Sequence, residues 1–498
     1  MRIGKISRFK LNVFFGFLNS IISAIQTFWF IPYVKINIGT SAYGYISVIN
    51  GLVNTLFVLA NAVGSMGTRF ILVSYEQNKV DQSNKYFNSE CVAMLISSVF
   101  ILVTSIFFSF YLQYFMNIGQ RFRIQVQVLF VMTIFSFALQ LLLSPFSSSF
   151  FYKNTLYITY ILFTLDYLGR ILLTIVLYRT GNKVLWSAAL ATDIVYLFSL
   201  FVYYVYFKRE MINIELNIKF FSIKHLFEMI KSGIWIAISS AGNIMLSSLN
   251  TYFSNLFCGV FITGIYAAIM QLNIVESMIL SVLVNTLLPK MFKLFSDSSE
   301  SGFFNYTVYS MSIISLLLSI VSGGIIVYGN DFMSFWMGPK FTGYQLLMFL
   351  TVIYLPFTLP SQVLNQSFTV MNKVSIPAII TVFSGILNVV LVVIMCNIFN
   401  MDIYGVAISS LIVQILRDCV LYPYYYYKIS HYFNIKIIYP FIFAALGVIV
   451  TYFICRISRS IFYPKTLILF FVSVAIGGGA TLLLLFPIIK KLETRFNI

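Results

Sequence analysis

Charge is what this chain has least of. Asp, Glu, Lys and Arg together make up 9% of its 498 residues, against 60% hydrophobic types, whereas an ordinary soluble domain carries about 25% charged residues. That excludes a water-soluble globule and puts the chain in a bilayer. Cysteine and histidine are also sparse. The five cysteines (Cys91, Cys258, Cys396, Cys419 and Cys455) lie in or beside apolar runs without CxxC spacing, and the two histidines stand far apart in polar loops. Neither a disulfide framework nor a metal site has support. No Gly-x-x-x-x-Gly-Lys-Ser/Thr occurs, and no polar stretch is large enough for a nucleotide domain. ATP hydrolysis is therefore excluded and no cofactor is expected. Outer loops of about a dozen residues or fewer leave little room for extramembrane chemistry.

Apolar runs fill the rest. Fourteen stretches of about 20 residues are long enough to span, among them 11–33, 44–66, 233–255, 259–285 and 466–489. The first follows MRIGKISRFK like a signal peptide, but it is too long and lacks a small-x-small cleavage site, so it reads as a span. An even count places both termini on one side. With the N-terminus inside, 21 Lys/Arg fall in inner segments and 9 in outer loops, which the positive-inside rule favours. The net charge of +17 is then a topology signal rather than a nucleic-acid footprint. The longest polar interruption, KREMINIELNIKFFSIKHLFEMIKS at 208–232, falls near the midpoint. Within it Ile223, Leu226, Phe227 and Ile230 share one face and Ser222 is placed as an N-cap, as in a helix lying on the membrane surface. The expected organisation is a six-helix bundle at 1–207, a cytoplasmic amphipathic connector at 208–232, a second six-helix bundle at 233–424, and a helix pair with tail at 425–498.

A weak internal repeat supports the two halves. Gly39 and Gly44 in IGTSAYGYISVIN are matched 220 positions later by Gly259 and Gly264 in CGVFITGIYAAIM, and each pair opens the second span of its half. Trp186–Thr192, WSAALAT, echoes Tyr404–Ser410, YGVAISS. These segments, with Gly67-Thr68-Arg69 ending the second span and HLFEMIKSGIWIAISSAGNIM entering the seventh, resemble the Wzx-type polysaccharide and O-antigen flippases. That family shares a superfamily with the MATE multidrug exporters and the lipid II flippases. The resemblance implies an all-α integral membrane protein of about 14 transmembrane helices, built as two pseudo-symmetric six-helix bundles plus a C-terminal pair. It also implies residence in the bacterial inner membrane with both termini cytoplasmic. The chain departs from the family pattern at Asn250-Thr251, where many members carry an acidic residue followed by a basic one.

A charge at bilayer depth costs about 2.5 to 3.5 kcal/mol on insertion scales, so each needs a partner or a wet cavity. Asp166 and Arg170 stand at i, i+4 on the fifth span, either a self-neutralising pair or part of a site. Glu276 has Gln271 and Asn273 nearby and no cation, which makes it a candidate proton carrier or an acid bonded between helices. Asp193 reads the same way. Arg417, next to Asp418, either snorkels to headgroups or offers a bidentate fork to a phosphate. Arg69 and Lys290, at matching span ends, either anchor topology or meet an anionic headgroup. Gln26, Asn54, Asn243, Asn250, Gln271 and Asn273 are candidate cavity-lining amides suited to sugar hydroxyls, although such amides also bind helices together.

The resulting expectation is a flippase that moves a polyprenyl-pyrophosphate-linked oligosaccharide outward by alternating access, and not an enzyme. The headgroup would enter a cationic, amide-lined cleft between the halves. Membrane lipids, a glycan polymerase and export machinery are the other expected partners. The alternative is a MATE-like, cation-coupled multidrug exporter, for which the cavity should be acidic. A membrane glycan polymerase or acyltransferase would need a catalytic carboxylate or His on a sizeable outer loop, where only Asp331 and Asp402 are available.

Overall fold

The computed structural model describes residues 8–496 except 153, 154, 182, 297–299, 372 and 431–433. Side chains at 8–10, 13, 17, 55–65, 76, 282, 285, 286, 288, 289, 292, 293, 296, 491 and 493–496 also lie outside the description. Regular structure among the described residues is helical throughout. A backbone crossing hydrocarbon must satisfy its own N–H and C=O groups, which a helix does within one segment.

The long helices are α1 (Arg8–Ile25), α2 (Thr40–Glu76), α3 (Val80–Ser109), α4 (Arg123–Leu143), α5 (Leu156–Arg179), α6 (Ser187–Glu210), α7 (Ile223–Leu246) and α8 (Ser248–Ser296). They are followed by α9 (Glu300–Met337), the broken α10 (Gln345–Val370), α11 (Ser375–Asn397), α12 (Asp402–Ile429), α13 (Tyr439–Ile461) and α14 (Leu467–Phe496). Twelve segments among the described residues are long and apolar enough to cross a membrane. One of them, Ile223–Ser281, contains the stretch 233–255 and most of 259–285, read as the seventh and eighth spans. The stretch 44–66 lies on α2, where side chains 55–65 are outside the description.

The chain forms two compact units, Met1–Ile244 with Thr251–Gly264, and Met245–Asn250 with Ile265–Ile498. In the first, α3 packs on α2 and α4, α6 on α4 and α5, and α1 on α5. A core of Tyr45, Val48, Ile49, Met94, Ile101, Leu129, Phe137 and Leu141 ties α2, α3 and α4 together. The glycine repeat has a structural basis here. Gly39 (φ 94°) and Gly259 (φ 80°) both adopt backbone that side-chain-bearing residues avoid, and each interrupts a helical path. Gly44 and Gly264 then pass so closely that a Cβ on Gly44 would overlap the Val260 carbonyl, and one on Gly264 would approach the Thr40 carbonyl to 2.9 Å.

The amphipathic stretch at 223–231 does not form a helix of its own. Ile223–Leu246 is one helix, because Ser232-Gly233 is too weak a breaker to interrupt a run that continues into apolar residues. Ser222 opens it, with its hydroxyl 2.7 Å from His225 Nδ1. The segment before it is held on the polar start of α3. Asn84 bonds the Glu215 N–H and the Asn213 carbonyl, Asn88 bonds the Asn217 N–H and the Glu215 carbonyl, and Ser89 exchanges bonds with Ser222. Two amides one helical turn apart thus act as a strand edge for an extended chain.

In the second unit α9 runs along α13 and α14, α12 packs on α10 and α11, and small residues permit the closest approach. A Cβ on Gly447 would overlap Ser319, and one on Gly323 would press on Thr451. Tyr328 donates toward the Cys455 and Ser473 carbonyls, and Arg459 forks onto Asp331 at 2.6 and 3.0 Å, fastening the last two helices to α9.

Candidate functional site

Polar residues at bilayer depth collect around Arg170 in the first unit. A cavity of about 410 Å³ is lined by Gln26, Asn50, Asn54, Thr133, Ser136, Gln140, Arg170, Thr192 and Tyr196, with Phe30, Phe137 and small residues between them. A second cavity of about 310 Å³ is lined by Gln140, Ser144, Ser147, Asp166, Tyr167, Arg170, Tyr196 and Tyr203. Gln140, Arg170 and Tyr196 line both, so the guanidinium stands where the two spaces adjoin. Its carbon lies 4.5 Å from the Tyr196 ring centroid and 5.9 Å from that of Tyr167. Such cation–π contacts contribute about 2 kcal/mol when desolvated. Gln140 fixes Tyr196 by donating to its hydroxyl at 2.9 Å. The Nε of Arg170 is buried and has no hydrogen-bond partner among the described residues.

The i, i+4 spacing of Asp166 and Arg170 does not produce an ion pair. The buried Asp166 carboxylate accepts from Ser199 on α6 at 2.5 Å, and no Asp166–Arg170 salt bridge occurs among the described residues. Asp193, also buried, accepts from Ser136, which lines the larger cavity. A neutral hydroxyl is thus the hydrogen-bond partner of each acid, while Arg170 attracts Asp166 by charge and interacts with Tyr196 without committing its Nε. The first helix bends through a π-helical turn, Gln26–Phe30, and that turn aims Gln26 and Phe30 into the cavity.

Of the other candidates in this unit, Arg69 is exposed near the end of α2 and Asn243 is exposed on α7. The second unit holds the remainder in separate places. Glu276 is fully buried, both carboxylate oxygens lying 3.0 and 2.9 Å from the Ser322 hydroxyl. Asn273 donates to the Thr351 carbonyl at 3.0 Å and Gln271 to the Ala267 carbonyl at 3.4 Å, both as links between backbone and side chain. Lys290 is exposed, its ammonium 4.8 Å from the Tyr306 ring. Asn250 belongs to a buried cluster, donating to Ser410 and accepting from Asn388, which also bonds the Met245 carbonyl. Arg417 is buried and its fork is occupied, with Nε and Nη2 meeting the two oxygens of Asp418 at 2.9 and 2.8 Å. Both residues lie in a π-helical turn over Leu416–Leu421.

Several residues of the Arg170 site are absent from the list that charge and amides suggest: Gln140, Thr133, Thr192, Ser144, Tyr167 and Tyr196. Hydroxyls and tyrosines are too common in this chain to stand out individually. A buried acid, Glu90, also escapes that list because it sits one residue before an apolar run.

A family model described as "Polysaccharide biosynthesis protein" matches residues 9–295. The chain is 24% identical over 425 residues, 85% of its own length and 84% of the relative's, to a Bacillus subtilis (strain 168) protein called "Uncharacterized membrane protein EpsK". Among solved structures it is similar to the lipid II flippase MurJ in an inward closed conformation, with TM-score 0.74, 14% identity, and coverage of 97% of this chain and 99% of that one. It is also similar to an inward-facing multidrug resistance MATE family transporter of the MOP superfamily, with TM-score 0.68, 12% identity, and coverage of 83% and 94%. At these identities the structural likenesses establish the fold.

Proposed function

Because the chain belongs to the family of polysaccharide biosynthesis proteins, whose model covers more than half of it, we propose that it is a flippase for lipid-linked oligosaccharides. It carries a polyprenyl-pyrophosphate-linked repeat unit of O-antigen, capsule or exopolysaccharide from the inner to the outer leaflet by alternating access. The observation that carries this reading is Arg170, a guanidinium with an unpartnered buried Nε between two cavities rich in amides and hydroxyls. A diphosphate needs charge-assisted donors, and sugar hydroxyls need groups that both donate and accept. The adjoining spaces supply both.

In this cycle Arg170 holds the headgroup's phosphates and Gln26 and Asn54 contact the sugar, while Arg69 on the first unit and Lys290 on the second are each further candidates for headgroup contact. Asp166, Asp193 and Glu276 are the ion-coupling candidates, while Arg417 is retained by Asp418 and acts in packing. Outward movement of an anion is assisted by the membrane potential, about 2.3 kcal/mol per charge per 100 mV. No covalent bond changes, so the protein is a carrier and not an enzyme. The setting is the bacterial inner membrane with both termini cytoplasmic, alongside a glycan polymerase and export machinery.

A second reading, a cation-coupled multidrug exporter, is favoured by the buried carboxylates Asp166 and Asp193 in the same unit. Proteoliposomes containing the purified protein separate the two. The flippase reading expects movement of a fluorescent polyprenyl-diphosphate-linked disaccharide between leaflets and no uptake of a lipophilic cationic dye. The opposite pattern would establish the exporter.

A further inference from the structure

Glu90 is a fully buried carboxylate for which the transport scheme above has no use. It lies ten residues into α3, about 15 Å along the axis at 1.5 Å per residue. One oxygen accepts from the Ser144 hydroxyl at 3.0 Å, and the other has no hydrogen-bond partner among the described residues. Burying a charge in this way is costly unless it is neutralised or solvated. Two further observations show that the position is built for the acid. Any Cβ on Gly67 of α2 would overlap the Glu90 carboxylate, so Gly67 leaves the space the carboxyl occupies. Ser144, the residue that bonds it, also lines the cavity shared with Asp166 and Arg170.

We propose that Glu90 is a proton-exchanging carboxyl of the transport cycle, reached from that cavity through Ser144, and that Gly67 is glycine in order to seat it. The inference rests on the transport reading but not on the identity of the cargo. A proton from cavity water adds to the carboxylate to give the neutral acid, and the same proton returns to water when the cavity opens to the other side. The Ser144 hydroxyl donates to the ionised form and turns to accept from the neutral one, which a carboxyl hydrogen bond permits in either direction. An anionic headgroup at Arg170 would bring negative charge into the cavity that Ser144 lines, which favours the neutral form of Glu90, so cargo binding and proton uptake occur together.

Among the described residues, few groups face this carboxyl. Gly67 faces it from α2, Ser144 from the turn after α4, and Cys91 adjoins it on α3. Across the cavity lie Asp166 and Arg170 with Tyr167, Tyr196 and Tyr203. On the connector-facing side of α3, Tyr86 donates to Glu228 and packs edge-on against His225, while Lys85 pairs with Asp81.

The test uses the full-length protein in lipid vesicles, read by infrared difference spectroscopy between acid and alkaline buffer and by flipping of the fluorescent disaccharide lipid under an imposed pH gradient. Wild type is expected to show a protonated-carboxyl carbonyl band that titrates, and Glu90→Gln to lose that component together with all acceleration by the gradient. Ser144→Ala keeps the acid but removes its hydrogen bond, so its band should shift in frequency. That shift supplies the reading if the Gln variant fails to fold. An unchanged band in either variant, or an unchanged gradient response in Glu90→Gln, overturns the proposal. If wild type flips no lipid-linked saccharide, the flippase reading fails, while the band still decides whether Glu90 exchanges protons.

Discussion

The Arg417–Asp418 pair offers the sharpest quantitative prediction. Both residues lie in the π-helical turn Leu416–Leu421 and are buried, with 6% and 2% of their surface exposed. Asp418→Asn keeps the shape but leaves an uncompensated guanidinium among Tyr422, Tyr354 and apolar neighbours. Breaking a buried pair from one side costs about 3–5 kcal/mol, whereas replacing both partners by apolar groups is often neutral. For a cooperative unit of this size each kcal/mol lowers the melting temperature by about 2–4 °C, so the single variant should melt roughly 6–20 °C lower. Arg417→Met combined with Asp418→Leu should recover most of that loss. The assay is fluorescence-detected melting of purified protein in one detergent. A single variant within about 2 °C of wild type, or a double variant less stable than the single, would refute the argument that the pair is a structural clamp.

Three further outcomes follow from the packing. Gly44→Ala should lower stability by about 1–3 kcal/mol through overpacking against the Val260 carbonyl, visible in the same melting assay, while Gly478→Ala, whose Cβ would meet nothing within 4 Å, should not. Asn84→Ala with Asn88→Ala should free the connector at 211–222, and limited proteolysis there should quicken markedly compared with wild type. Ser322→Ala strips Glu276 of the hydroxyl its two oxygens share and should cost about 1–3 kcal/mol unless the acid takes up a proton, which melting at acid and neutral pH would separate.

The architecture was legible because bilayer thickness and backbone hydrogen bonding leave few choices. Apolar run length alone gives an all-helical spanning protein, and the Gly39/Gly259 echo marks two breaks with matching backbone angles. Side-chain partners were less legible, for reasons that differ by site. Asp166 and Arg170 have the spacing of an ion pair, but Ser199 and Tyr196 on the neighbouring α6 compete for them, and spacing along one helix carries no information about another. The Arg417 fork closes on its immediate sequence neighbour, whereas helical spacing directs attention to residues three and four apart. Glu90 looks like the polar edge of a span because α3 begins ten residues before it, with Asn84, Asn88 and Ser89 turned toward the connector rather than toward water. The opposing signal is Gly67, whose missing side chain leaves the space the Glu90 carboxyl fills.

The central claim is that Arg170 receives the diphosphate of a lipid-linked saccharide. Binding of a short-chain prenyl-diphosphate disaccharide to the purified protein, wild type against Arg170→Ala and Arg170→Lys, tests it most directly. Each charge-assisted hydrogen bond contributes about 1.5–3 kcal/mol, so the Ala variant should bind at least about tenfold more weakly, with Lys intermediate. Equal affinity in wild type and Arg170→Ala would contradict the account.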